Sequence, residues 1–175
     1  VVREAVKRAN LDPKLVDECS MGNVFSAGLG QNPARQAAIC GGLPPEVGAM
    51  TVNKVCGSGL KAVALAAQAI QTENSSIVVA GGMESMTNAP HLLPKSRAGF
   101  RYGSTQLLDS MAFDGLEDAY VGKPMGHFAD ATAKKYGFSR EDMDAYAKTS
   151  TERAVKAPRE KPKKNSSNTP VMIEM

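Results

Sequence analysis

The chain has 175 residues, 42% of them hydrophobic and 22% charged, which suits one buried core with room for a small second lobe and excludes a disordered polymer. No apolar run approaches the length of a membrane span. Of the net charge of +3, residues 158–175 supply +2 from four basic and two acidic residues, and the rest of the chain, with 17 basic and 16 acidic residues, supplies +1. A body that close to neutral argues against a broad nucleic-acid-binding face.

In chain order, Val1 to Ala9 reads as an amphipathic helix, with Val2, Ala5, Val6 and Ala9 in one stripe and Arg3, Glu4, Lys7 and Arg8 facing away. Asn10-Leu11-Asp12-Pro13 breaks it, and Val16 to Phe25 reads as a strand. After a turn at Gly28 and Gly30, Asn32 and Pro33 read as N-cap and first position of a helix through Ile39. The run from Gly41 to Pro45 stops that helix. Ala49 to Val55, with β-branched Thr51, Val52 and Val55, reads as a second strand. A helix from Leu60 to Gln71 follows, apolar almost all round, which predicts a central, covered position. It leads into Ile77-Val78-Val79-Ala80, a continuous apolar strand suited to a sheet covered on both faces, closed by Gly81-Gly82. Strand, buried helix, strand is a βαβ unit, so the sheet is at least partly parallel.

Residues 86–125 are loop-rich, punctuated by Pro90, Pro94, Gly99, Gly103 and Gly122, a character common in segments that cover a site. A helix from Gly126 to Tyr136 ends at Gly137 in the C′ position. Ser139 caps a further helix with Glu141, Asp142 and Asp144 in its first turns. Met143, Ala147, Ser150 and Ala154 mark one face of it, and Asp144 with Lys148 forms an i,i+4 pair. From Pro158 the chain is basic, polar and aperiodic and reads as a disordered tail. The domain reading is thus a core over 1–85, a loop region over 86–157 and a tail over 158–175.

Cys56 is the candidate catalytic residue. It stands in Asn53-Lys54-Val55-Cys56-Gly57-Ser58-Gly59-Leu60-Lys61, between a strand and a helix. Unpaired N–H groups and the positive end of the helix dipole favour a thiolate there, and the glycines let backbone and substrate approach closely. That is the environment of a nucleophilic cysteine. Free cysteines are most often packing residues, and Cys19 in a strand and Cys40 at a helix end read as structural thiols. Three cysteines fit no disulfide framework or zinc spacing, and two histidines without a ligand motif give no metal site.

These segments resemble the thiolase family, in its acetyl-CoA acetyltransferase group. The resemblance rests on Asn53 to Lys61 (NKVCGSGLK), on Val78 to Met86 (VVAGGMESM) followed by Ala89-Pro90, and on Gly28 to Ala37 (GLGQNPARQA). Asp114-Gly115-Leu116, Met125-Gly126 and Ser139 to Ala147 (SREDMDAYA) extend it to roughly residues 1–157. It implies an α/β, thiolase-like layered fold, here the N-terminal half with a mixed sheet, a buried central helix and an inserted loop domain. It implies that Cys56 accepts an acyl group from acyl-CoA, its N–H contributing to an oxyanion hole, and that two acetyl-CoA condense to acetoacetyl-CoA, or the reverse thiolysis occurs. Leu116 and Met125 match positions lining the acyl and pantetheine pocket, and Pro124 stands where the family often has histidine.

The resemblance further implies no metal or prosthetic group, coenzyme A being the carrier of the substrate, and a homodimer or homotetramer with no nucleic-acid or membrane partner. It places such chains in cytoplasm, mitochondria or peroxisomes, cytoplasm being the default here. The family's Gly-His-Pro histidine, its second cysteine in Cys-x-Gly-Gly-Gly and its thioester-binding asparagine belong to a second half not matched in these 175 residues. His91 and His127 lie in neither motif. The chain alone is therefore expected to be inactive or nearly so. The rival readings are a non-catalytic remnant that binds coenzyme A or pairs with full-length subunits, and a ketoacyl synthase of the same superfamily.

Overall fold

The computed structural model describes residues 1–157; the expected disordered tail lies outside them. Residues 1–116 form one compact unit and the described residues from 117 onward a second.

The first unit is built on three strands, β1 (Glu18–Gly22), β2 (Gly48–Val52) and β3 (Val78–Gly82), in the order β2-β1-β3. Both pairings are parallel, with Cys19 opposite Ala49 and Val79, and Gly22 opposite Val52 and Gly82. Among the described residues the sheet expected to be mixed is therefore parallel throughout. An antiparallel pair does exist, β4 (His91–Leu92) with β5 (Leu108–Asp109), but it is a separate two-stranded piece in the loop-rich region. The register sorts side chains by face. Cys19, Met21, Ala49 and Val79 join α1 (Val2–Arg8) and α2 (Pro33–Cys40) in one apolar cluster with Val2, Val6, Ala34 and Ala38. Ser20 and Gly22 belong to the opposite face, which α3 (Ser58–Gln71) covers. Helices on both faces explain why β3 is apolar along its whole length.

Glycine sets the distance between α3 and the sheet. A Cβ on Gly22 would lie 2.5 Å from the Gly59 backbone nitrogen and from the Ser58 carbonyl carbon. A Cβ on Gly82 would lie 3.3 Å from Gly59 Cα. The first turn of α3 thus rests directly on the C-terminal ends of β1 and β3, closer than any side chain would permit.

Two expectations change in detail. Val16 to Phe25 reads as one strand, but β1 ends at Gly22, because the N–H groups of Val24 and Phe25 turn to the Glu84 carboxylate instead of a neighbouring strand. The apolar girth of α3 predicts a helix covered all round. Only Ser58, Ala62 and Ala66 are buried, and Leu60 is 70% exposed, since within the described residues the sheet covers a single stripe of the helix.

The second unit holds α4 (Met125–Tyr136) and α5 (Arg140–Lys156), neither with a buried residue. Gly137 takes the left-handed conformation, φ 68°, that ends α4. Ser139 and Asp142 form a reciprocal capping box at the start of α5. Asp144 pairs with Arg140 at 3.0 Å, in place of the expected Lys148, one turn the other way along the helix. Among the described residues no helix is long and apolar enough to cross a membrane.

Asp17 joins the start of the sheet to the α3–β3 connection. Its carboxylate accepts from the N–H groups of Ser76 and Ile77 at 2.7 and 2.9 Å. The Ile77 bond, then the Ser76 bond, hold its pKa below the ordinary value. A carboxyl lowered in the folded state contributes stability above its unfolded pKa and loses it as pH falls through the folded value. Asp17→Asn should therefore be less stable than the parent chain near neutral pH and equal to it in strong acid, as read by urea melts across pH. For the glycine contact, Gly22→Ala should destabilise at the upper end of the ~1–3 kcal/mol range for overpacking, and Gly82→Ala by less, in the same melts. Equal effects would sink the steric ranking.

Candidate functional site

The expected nucleophile occupies the turn between β2 and α3. Strand pairing ends at Val52, and the chain then reverses within four residues. Asn53 Oδ1 accepts from the Val55 N–H at 3.0 Å, an Asx turn made by the residue that follows the strand. Gly57 donates its N–H to the Lys54 carbonyl at 3.1 Å, and Ser58 donates its own to the Val55 carbonyl at 3.1 Å. The Ser58 hydroxyl completes the turn. It accepts from the Lys54 N–H at 2.9 Å and donates to the Val55 carbonyl at 2.5 Å. Ser58 is buried and opens α3, so the turn is fastened to the helix at its first residue.

Val55 lies inside this turn with φ 48°. The left-handed region is unfavourable for a β-branched residue, and non-glycine residues there gather at functional positions. The strain is local, adjacent to Cys56, and opposed by the Ser58 bonds. Cys56 itself is exposed. Gly57 caps α3 without a side-chain bond, and the Gly59 and Leu60 N–H groups have no acceptor among the described residues. Cys56 therefore stands beside the free-donor end of a fourteen-residue helix.

The other cysteines differ from it in kind. Cys19 is fully buried in β1, and burial, with a smaller contribution from the Glu18 carboxylate, pushes its thiol up to about 11. It is a packing residue, as expected. Cys40 ends α2 and is exposed, so it is not a core thiol. Its carbonyl accepts from Arg3 at 2.7 Å. His91 is exposed on β4, backbone-paired with Asp109. His127 is exposed near the start of α4, its ring edge-on to Phe128 at 5.4 Å. Among the described residues no three His, Cys, Asp or Glu side chains gather as a metal set.

Leu116 closes a π-helical turn, Ala112–Leu116, and is exposed; Met125 is the first residue of α4 and is exposed. Leu116 shares the unit of Cys56, whereas Met125 belongs to the other.

Asn32, φ 40°, caps α2 as expected. Two features escape sequence reasoning. One is that Asn32 also binds β2: it accepts from the Thr51 hydroxyl at 2.7 Å and donates to the Ala49 carbonyl at 2.9 Å. The other feature is Glu84, just past β3. Its carboxylate accepts from Asn23 Nδ2 at 2.8 Å, from the Val24 N–H at 2.7 Å and from the Phe25 N–H at 3.3 Å. The ESM wording quoted above marked this glutamate as part of a signature without indicating what it binds. A cleft of about 570 Å³ is lined by Asn23, Ser26, Asn32, Met50, Thr51 and Asn53 among others. Asn23 Oδ1, in a side chain 3% exposed, has no partner among the described residues.

With this geometry, likeness to known proteins is specific. Residues 1–173 match the family profile described as "Thiolase, N-terminal domain". The chain is 55% identical over 157 residues to an acetyl-CoA acetyltransferase of Cupriavidus necator, covering 90% of this chain and 40% of the relative. It is 52% identical over 156 residues to an acetyl-CoA acetyltransferase of Schizosaccharomyces pombe, covering 89% and 40%. A crystal structure of Acat5 thiolase from Ascaris suum in complex with coenzyme A superposes with a TM-score of 0.84 at 45% identity, over 91% of this chain and 41% of that one. The chain thus spans about two-fifths of the length of these relatives. A strand-to-helix cysteine turn on a parallel sheet, a shared fold and a match along nearly its whole length make this chain a member of the thiolase family, corresponding to its N-terminal domain.

Proposed function

We propose that this chain carries the acyl-accepting half of an acyl-CoA C-acetyltransferase. The observation that supports it is Cys56, exposed on a strained turn at the unpaired N-terminus of α3. The two relatives are named acetyl-CoA acetyltransferase, and the Ascaris thiolase was crystallised with coenzyme A.

In this reading the Cys56 thiolate attacks the thioester carbonyl of acetyl-CoA. The carbonyl π-bond opens to an oxyanion, which the Cys56 N–H helps to hold, and collapse expels the coenzyme A thiolate, leaving an S-acetyl cysteine. In the second half-reaction another acetyl-CoA loses a methyl proton to a base. The carbanion attacks the acetyl-cysteine, forming a carbon–carbon bond and breaking the carbon–sulfur bond. Acetoacetyl-CoA leaves and the Cys56 thiolate returns. Two acetyl-CoA thereby give one acetoacetyl-CoA and one coenzyme A, with no metal or prosthetic group; coenzyme A serves only as carrier.

No base is hydrogen-bonded to Cys56 among the described residues. We therefore assign the first half-reaction to this chain and expect no multiple turnover from it alone. Leu116 and Met125 are read as acyl and pantetheine contacts, residues 86–157 as the loop domain region, a homodimer or homotetramer as the assembly, and the cytoplasm as the compartment.

Incubation with acetyl-CoA, and separately with iodoacetamide near neutral pH, followed by peptide mass mapping, tests the assignment. Modification should concentrate at Cys56 and vanish there in Cys56→Ala. Cys19 should stay unmodified while the fold is intact, because its thiol is buried and raised. Equal labelling of Cys40 and Cys56 would defeat the reading. Ser58→Ala removes two hydrogen bonds and should cost about 1–2 kcal/mol, at ~1 kcal/mol net for each, and should lower Cys56 labelling relative to Cys40. An unchanged ratio would show that the hydroxyl does not hold the turn.

A further inference from the structure

Glu84 is a charged group with no part in the acyl-transfer steps. Three donors from consecutive residues, Asn23, Val24 and Phe25, converge on one carboxylate some 60 positions away. The clamped residues then reach in two directions. Asn23 donates its N–H to the Val52 carbonyl at 3.0 Å, the last β2 residue before the cysteine turn, and its side-chain amide to the Met83 carbonyl at 3.2 Å. Phe25 is buried, and its ring lies against Gly115, whose missing side chain leaves the space that the ring fills. Gly115 adjoins Leu116 in the same π-helical turn. One carboxylate is thus tied through Asn23 to the Cys56 turn and through Phe25 to the Leu116 segment, all within residues 1–116.

We infer that Glu84 is a positioning residue: by locking residues 23–25 it fixes the nucleophile turn and the Ala112–Leu116 segment in one mutual arrangement. The inference rests on the reading of Cys56 as the acyl acceptor. A carboxylate suits this task because it offers acceptors only. A glutamine would present an N–H₂ group to one of three N–H donors.

The test compares the parent chain with Glu84→Gln and Glu84→Ala by hydrogen–deuterium exchange and by iodoacetamide labelling of all three cysteines. Exchange should rise severalfold in both residues 53–58 and Ala112–Leu116, with α1 and α2 unchanged. The Cys56-to-Cys40 labelling ratio should change by threefold or more. Cys19 reports the fold. Exchange confined to residues 23–25 in a variant that keeps Cys19 protected overturns the inference. So does exposure of Cys19 in both variants, which would make the carboxylate a general stabiliser. Unselective labelling of Cys56 in the parent chain would remove the acyl-acceptor reading alone, because the exchange measurement still decides whether Glu84 couples the two segments.

Discussion

The contact of Gly22, Gly59 and Gly82 governs the rest of this structure. Side chains normally separate a helix from the sheet on which it packs. Here two strand glycines face a helix glycine, and the first turn of α3 comes down onto the strand ends. The cysteine turn is the short chain between β2 and that first turn, so its geometry follows from how low α3 sits. That turn is fastened to Ser58 at the start of α3, and Val55 lies inside it at φ 48°. The glycines therefore act on the nucleophile indirectly, through the height of a helix.

Much of this was legible in the sequence, for identifiable reasons. The order of helices and strands in residues 1–82 follows from period and punctuation, because each element buries one face or stripe against a neighbour also in the chain. The cysteine turn was legible because glycine, serine and asparagine have narrow backbone uses. What was not legible depends on distant partners. The end of β1 at Gly22 is decided by Glu84, and nothing in Asn23-Val24-Phe25 announces a carboxylate donated from beyond β3. The exposed side of α3 was misjudged for a related reason: apolar composition reports what a helix can bury, whereas observed burial also requires something to cover it.

Polar bonds in this fold join chain ends of strands more than they decorate the surface. Asp17 links the entry of β1 to the entry of β3, and Glu84 links their exits. Asn32 and Thr51 bind the start of α2 to β2, with the Ala34 N–H donating to the Thr51 hydroxyl at 3.0 Å. By contrast, the ion pairs of Glu4 with Arg8 and of Asp144 with Arg140 lie on exposed helix faces, where such pairs contribute little. Carboxylates and amides aimed at backbone groups define the strand ends, and the strand ends carry the site.

The balance at Val55 can be argued from magnitudes. A non-glycine residue in the left-handed region costs on the order of 1–3 kcal/mol, and β-branching places Val55 toward the upper part of that range. Against this stand the two hydrogen bonds of the Ser58 hydroxyl and the Asn53 bond to the Val55 N–H. At about 1 kcal/mol net for each, they offset the strain with little to spare. A turn balanced so closely is held only while Ser58 stays in its buried place at the start of α3, and that place is set by the glycine contact with β1. The strain next to Cys56 is thus sustained by the sheet-to-helix packing: a methyl group added at Gly22 would press on Ser58 and Gly59, the residues to which the turn is fastened.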